Sequence, residues 1–266
     1  MATVREIYAA IDSWAPFSTQ MDFDNAGFLV GREDREVRKA LVALDITEQV
    51  VDEAARWGAE LILSHHPVIF HPVRSITDGD PAGRTLLRLI ECGISAICAH
   101  TNLDAAPGGV NDVLARTLEL QQVGQLHQDG TLESGQPYGI GRVGTAHRPG
   151  MAAADYASYV KEKLSAASVR YTDGGRPVSR VAVGGGSCGS MLADVLAQGC
   201  DTFVTADVKY DVFLEAKALG ITLMDAGHYA TENVVCLPMA AFLREKFPGM
   251  EISISGEHQE VYQSAT

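Results

Sequence analysis

The chain has little that would tie it to a membrane, to nucleic acid or to an oxidising compartment. No apolar stretch approaches the roughly 18 residues that a transmembrane helix needs. The opening "MATVREIYAAIDSWAP" is an amphipathic pattern and lacks the basic-then-apolar layout of a signal peptide. Basic residues are outnumbered, 21 Lys and Arg against 34 Asp and Glu, for a net charge of -13. Long nucleic acid needs a basic footprint and is not expected as the main partner. A small anionic substrate remains compatible, because a bound cation can outweigh local protein charge. The cysteines (Cys92, Cys98, Cys188, Cys200 and Cys236) are odd in number and form no CxxC pair. That usage implies reduced thiols and a cytoplasmic setting. No segment is low-complexity, and only "QLHQDGTLESGQP" (125–137) reads as a polar linker.

What is present is a recurring pattern: "DEAARWGAELILSHH", "LLRLIECGISAICAHT", "LADVLAQGCDTFVTAD" and "LEAKALGITLMDAGH". Each has a helical period, then a glycine (Gly58, Gly93, Gly199, Gly220), then a short apolar run and polar residues. Glycine stops a helix because it takes the left-handed conformation without penalty. The runs "AELILS", "ISAICA", "DTFVTA" and "ITLMDA" lack alternation, so they suit strands buried on both faces. Helices alternating with such strands predict an α/β protein: two α/β domains of related design with largely parallel central sheets. The linker near 125 predicts a first domain over 1–125 plus 233–266, with "EISISG" returning to the first sheet. The second domain is then 126–232 and carries His228 and Glu232 at its end.

In open parallel sheets, ligands bind beyond the carboxyl ends of the strands. One end offers Ser64, His65 and His66; the next, "AHTNLDAAPGG", offers His100, Thr101, Asn102 and Asp104; a later one, "DAGHYATENVV", offers Asp225, His228 and Glu232. Five of the eight histidines lie at or just beyond these ends, His71 being the fifth. Neutral imidazole is the commonest metal ligand. His228 and Glu232 are i and i+4, so a helix opening near His228 would point both the same way. Pro238 predicts a bend or break in that helix. His66 precedes a proline, so the two adjacent imidazoles leave strand geometry and need not diverge.

Asp104 and Glu232 could bridge or flank a pair of ions, as two-metal sites require. Mixed nitrogen and oxygen donors suit zinc, iron, manganese, cobalt or nickel, and the absence of cysteine disfavours a structural thiolate zinc. Each motif alone has a blander reading. A His-His pair is more often a capped strand end, "HTNLD" a turn, and a His–Glu pair a surface helix pair. Their recurrence at three equivalent strand ends favours metal. His71 reads as a loop residue, Asp45 as a carboxylate placed to orient a histidine, and His100 as the candidate proton carrier.

The motifs "DNAGFLVG" (24–31), "LVALDIT" (41–47), "LILSHHPVIF" (61–70), "AHTNLD" (99–104) and "DAGHYATE" (225–232) resemble a known family. It is the YbgI-like family of dinuclear-metal-centre hexameric proteins, often labelled GTP cyclohydrolase I type 2 homologues. The resemblance implies His65, His66, Asp104, His228 and Glu232 as ligands of two divalent ions, in a two-domain subunit of a toroidal homohexamer. It also implies a cyclohydrolase-like, metal-dependent hydrolase. Two positions depart from the family pattern in "TADVKYDVF": Ala206 stands for a glycine and Asp211 for a histidine.

"GGGSCG" (184–189) spells GxGxxG between a β-run and a helical run, with Asp207 eighteen residues past the last glycine. A tight strand-to-helix turn is the preferred reading, since no second half completes a dinucleotide site. The sequence therefore supports a metal-dependent hydrolase acting on a small nucleotide-like or amide substrate. A metal-binding scaffold or regulatory protein without turnover is the alternative, and a nicotinamide-dependent oxidoreductase rests on "GGGSCG" alone.

Overall fold

The computed structural model describes residues 2–265. The chain divides into two compact units. One runs as far as Ala106 and resumes over Val235–Gln259; the other comprises Pro107–Val234 and resumes at Glu260.

The first unit is built on five strands in the order Glu251–Ile254, Lys39–Ala43, Leu61–Ser64, Ser95–Cys98, Gly27–Val30. The first four run parallel and Gly27–Val30 is antiparallel at the edge. "EISISG" thus returns to the first sheet, as expected. Every residue of Leu61–Ser64 and Ser95–Cys98 is buried, which is why neither run alternates. Helix Glu48–Trp57 starts under the Thr47 hydroxyl, which accepts from Val50 N at 3.3 Å. Helix Pro81–Cys92 starts under Asp80, with proline at its first position, where no backbone donor is missed. These helices lay Val50, Val51, Ala54, Leu86 and Leu89 over Leu41 and Ile62 to form the core. The helix-stop glycines Gly58, Gly93, Gly199 and Gly220 all have left-handed φ, 78°, 64°, 67° and 72°.

The second unit has six strands, ordered Arg170–Thr172, Thr222–Asp225, Thr202–Thr205, Arg180–Val183, Arg142–Thr145, Gln121–Gln125. Its three central strands run parallel and the flanking ones antiparallel. Both units therefore share a parallel centre with helices over buried strands.

The first crossing between units falls after Ala106, ahead of the position near 125 that composition suggested. Leu114, Ala115, Leu118 and Leu120 bury themselves in the second core, and Gln121–Gln125 pairs with Arg142–Thr145. The polar stretch 125–137 continues into an antiparallel hairpin, Gly130–Thr131 against Pro137–Tyr138. Its polarity reflects an exposed arm of the second unit, not a linker.

That hairpin sits by a buried cation. The Arg142 guanidinium is 2 % exposed and donates to both Asp112 oxygens, at 2.5 and 3.2 Å. It also donates to Gln125 Oε1 and to the Gly139 and Gly141 carbonyls at 2.8–2.9 Å. Removing one partner of a buried pair leaves an uncompensated charge. Asp112→Ala should lower stability by about 3 kcal/mol. The expected signature is a lower urea midpoint with an unchanged slope; an unmoved midpoint would contradict it.

Candidate metal centre

Register brings the first set of candidates together. Ala43, Ser64 and Cys98 are level neighbours across the parallel strands. The residues that follow each therefore emerge at one edge. Past Ser64 the chain turns: His65 N and His66 N donate to the Ala43 and Leu44 carbonyls at 3.2 and 2.9 Å. The Ser64 hydroxyl donates to the His66 carbonyl at 2.7 Å, closing the turn before Pro67. The adjacent imidazoles consequently do not diverge; their ring centroids are 5.1 Å apart. His100, which precedes the short helix Thr101–Ala105, adds a third ring 5.3 Å from His65 and 5.6 Å from His66. Each of the three offers a ring nitrogen within 4.8 Å of the others.

The opposite ring nitrogens are already engaged. His65 Nδ1 lies 2.8 Å from the Ala99 carbonyl. A carbonyl only accepts, so Nδ1 carries the proton and Nε2 the lone pair. His66 Nδ1 lies 2.8 Å from Asp45 Oδ1, the orienting role expected of that carboxylate. His100 Nδ1 lies 2.7 Å from Asp24 Oδ1. Asp24 also accepts from Thr101 N at 3.0 Å and the Thr101 hydroxyl at 2.5 Å. Burial pushes the Asp24 carboxyl up, but the hydrogen bonds from His100 and Thr101 and the His100 charge outweigh it and hold it at about 2. Asp24 is thus an anion that fixes the His100 tautomer. Beneath the cluster, the Cys98 thiol donates to the His65 carbonyl at 2.9 Å. Burial pushes it well above its ordinary range, so it packs as a thiol and is no thiolate ligand.

The donor set fits a cation. His65 Nε2 stands 3.5 Å from Asp104 Oδ1, with the two side chains 0 % and 11 % exposed. That separation is long for a hydrogen bond. Two lone-pair-bearing atoms so placed, out of water, suit a shared positive charge.

The second unit carries its own cluster, built by the same device. Thr205 and Asp225 are level at the ends of parallel strands. Gly227 (φ 91°) turns the chain into the helix His228–Glu232. His228 Nε2 is 2.9 Å from Glu232 Oε2, so the i, i+4 pair does share a face. His228 Nδ1 is 2.6 Å from Asp207 Oδ2. Glu232 is 3 % exposed. The expected break near Pro238 comes earlier, at the 3-10 turn Asn233–Val235, and Pro238 lies in the first turn of helix Cys236–Lys246, where a proline is tolerated.

The glycine loop serves this cluster. Gly186 (φ 65°) leaves no room for a side chain: a Cβ there would lie 2.1 Å from Glu232 Oε1 and 3.3 Å from His228 Cε1. Its amides are spoken for, Gly185 N by Asn111 Oδ1 at 2.9 Å and Gly186 N by the Thr231 hydroxyl at 3.0 Å. They are not the open donors that a pyrophosphate needs. "GGGSCG" is therefore a close-approach turn against Glu232. Asp207, which entered the sequence reading only as a dinucleotide acid, orients His228 instead. A carboxylate just past a strand end, like Asp45, was the signal for it. His71 is exposed in its loop, as expected.

The comparisons agree with the site's sequence context. The family profile for Duf34/NIF3 (NGG1p interacting factor 3) matches residues 2–260. The chain belongs to the Duf34/NIF3 family. A relative from Clostridium perfringens (strain 13 / Type A), named "GTP cyclohydrolase 1 type 2 homolog", is 31% identical over 262 residues, 98% of each chain. The Bacillus cereus protein related to NIF3 superposes with a TM-score of 0.93 over 100% of this chain and 99% of that one, at 24% identity. A protein titled ybgI, of unknown function, matches with a TM-score of 0.83 over 96% and 98%, at 23% identity. The Duf34/NIF3 chain thus shares its whole fold with these proteins, and its histidine and acidic groups could hold metal ions. Among its described residues, no helix is long and apolar enough to cross a membrane.

Proposed function

We propose that the protein binds two divalent ions through His65, His66, Asp104, His228 and Glu232 and hydrolyses a small nucleotide-like or amide substrate. The observation that carries this reading is the engagement of every candidate imidazole at Nδ1. His65 is held by a carbonyl, and His66, His100 and His228 by Asp45, Asp24 and Asp207. Histidines that ligate metals are oriented by just such partners, which set the tautomer and raise ligand basicity. Structural histidines have no need of the same nitrogen being tied four times over. When bound, such ions would polarise a carbonyl or phosphoryl oxygen, making its carbon or phosphorus more electrophilic, and lower the pKa of water.

The remaining residues would do the rest. Asp24 holds the His100 proton on Nδ1, leaving Nε2 free to take a proton from the attacking water and return it to the leaving group. Asp45 and Asp207 keep the His66 and His228 rings from turning. The relatives' name points to GTP as one substrate to test first, and assembly as a homohexamer belongs to the same reading. The decisive experiment is a screen of nucleotides, phosphoesters and amides with metal-loaded protein. Turnover should appear and vanish in His65→Ala and His228→Ala. Turnover that survives both variants, or none across the panel, would refute the hydrolase.

A further inference from the structure

We infer that Phe70, with Phe23 at its edge, forms a stacking face beside the first imidazole cluster, on which the substrate lays a planar ring. The inference rests on the hydrolase reading above and narrows its substrate class.

Phe70 lies four residues past His66, just beyond the X-Pro turn. Its ring centroid is 6.0 Å from that of His100, at an interplanar angle of 83°. Phe23 meets Phe70 at 6.4 Å and 66°. Both rings are open to solvent, Phe70 at 38% and Phe23 at 64%. Apolar side chains so exposed beside a polar cluster call for an occupant. Two steeply inclined rings make a corner that a flat ring fills, stacking on one and meeting the other edge-on.

The corner is held to the cluster by bonds on both sides. Asn25 Nδ2 donates to the Ile69 carbonyl at 2.6 Å, tying the Phe23 segment to the Phe70 segment. Asp24, next to Phe23, grips His100 and Thr101. The same two segments also expose Met21, Val73 and Ile76. The segments that carry the rings are therefore tied to one another and to the proposed proton carrier. Phe70 is a positioning residue: it would set where the reacting carbon of a ring-bearing substrate stands relative to His100.

The test is calorimetric titration of zinc-loaded protein with adenosine 5′-monophosphate and with ribose 5-phosphate, which share sugar and phosphate and differ by the ring. The ringed probe should bind at least about tenfold tighter, the scale of one base–aromatic stack. Phe70→Ala should lose about tenfold for the ringed probe and nothing for ribose 5-phosphate, and Phe70→Tyr should restore the preference. Equal binding of the two probes by the unaltered protein, or an unchanged ring preference in Phe70→Ala, overturns the inference. So does a change in particle mass by light scattering in Phe70→Ala with ring preference intact, which would make the corner an assembly face. Metal content is measured on the same samples. Full metal with no ring preference sinks this inference alone; ring binding without metal sinks the metal reading instead.

Discussion

Gly186→Ala is expected to empty the proposed metal centre without altering any proposed ligand. The new methyl would stand 2.1 Å from Glu232 Oε1 and 3.0 Å from Glu232 Cδ. Glu232 is 3 % exposed and has little room to swing away. The carboxylate must move, and with it the oxygen that faces His228 at 2.9 Å. The substitution also places alanine at φ 65°, which costs about 1–2 kcal/mol by itself. Gly199→Ala separates the two effects. Its φ is 67°, so the strain is equal, but a Cβ there meets nothing within 4 Å. Both variants should therefore melt earlier, Gly186→Ala by more because of the added clash, and only Gly186→Ala should lose metal in elemental analysis. Full metal in Gly186→Ala would show that the Glu232 position is not critical.

Asp24→Asn should cost the proposed turnover about 10²-fold or more, with metal retained. The carboxylate accepts on one oxygen from His100 and on the other from Thr101 N and its hydroxyl. The Thr101 hydroxyl is itself committed, since it accepts from Met21 N at 2.9 Å. An amide cannot satisfy that set. Its NH2 group must face either the Thr101 N–H or the His100 Nδ1–H. In the second case the imidazole changes tautomer and presents Nε2–H where a base is needed. The pH dependence follows from the depressed carboxyl. Its folded value is about 2, below the ordinary 3.8. The stability it contributes is complete above pH 3.8 and fades as pH falls through about 2. In acid titrations followed by circular dichroism, Asp24→Asn should start less stable at neutral pH and lose that part of the acid transition. Unchanged kcat in Asp24→Asn would remove His100 from the chemistry.

Much of this was legible in the chain because it depends on local pattern. The glycine stops at Gly58, Gly93, Gly199 and Gly220 and the four unalternating runs mark helices and buried strands without reference to distant residues. The strand ends named the candidate ligands, because a parallel sheet delivers its chemistry there. What was not legible depends on pairing. Whether Gln121–Gln125 joins the first or second sheet is decided by its partner Arg142–Thr145, 17 residues on in the chain at the level of Gln125 and Arg142. A polar arm and a polar linker have the same composition. Asp24 lies 76 residues from the histidine it holds and follows no strand end, so neither spacing nor position reaches it. Gly186 reads as part of a tight strand-to-helix turn, but the GxGxxG pattern is the same in a phosphate loop; only the carboxylate pressed against it shows what the glycine makes room for.

The most direct measurement is elemental analysis of the purified chain beside Asp104→Ala and Glu232→Ala, with folding checked by circular dichroism. Two divalent ions per chain are expected in the unaltered protein, and metal should be lost from each folded variant. Full occupancy in both variants would contradict the dinuclear assignment.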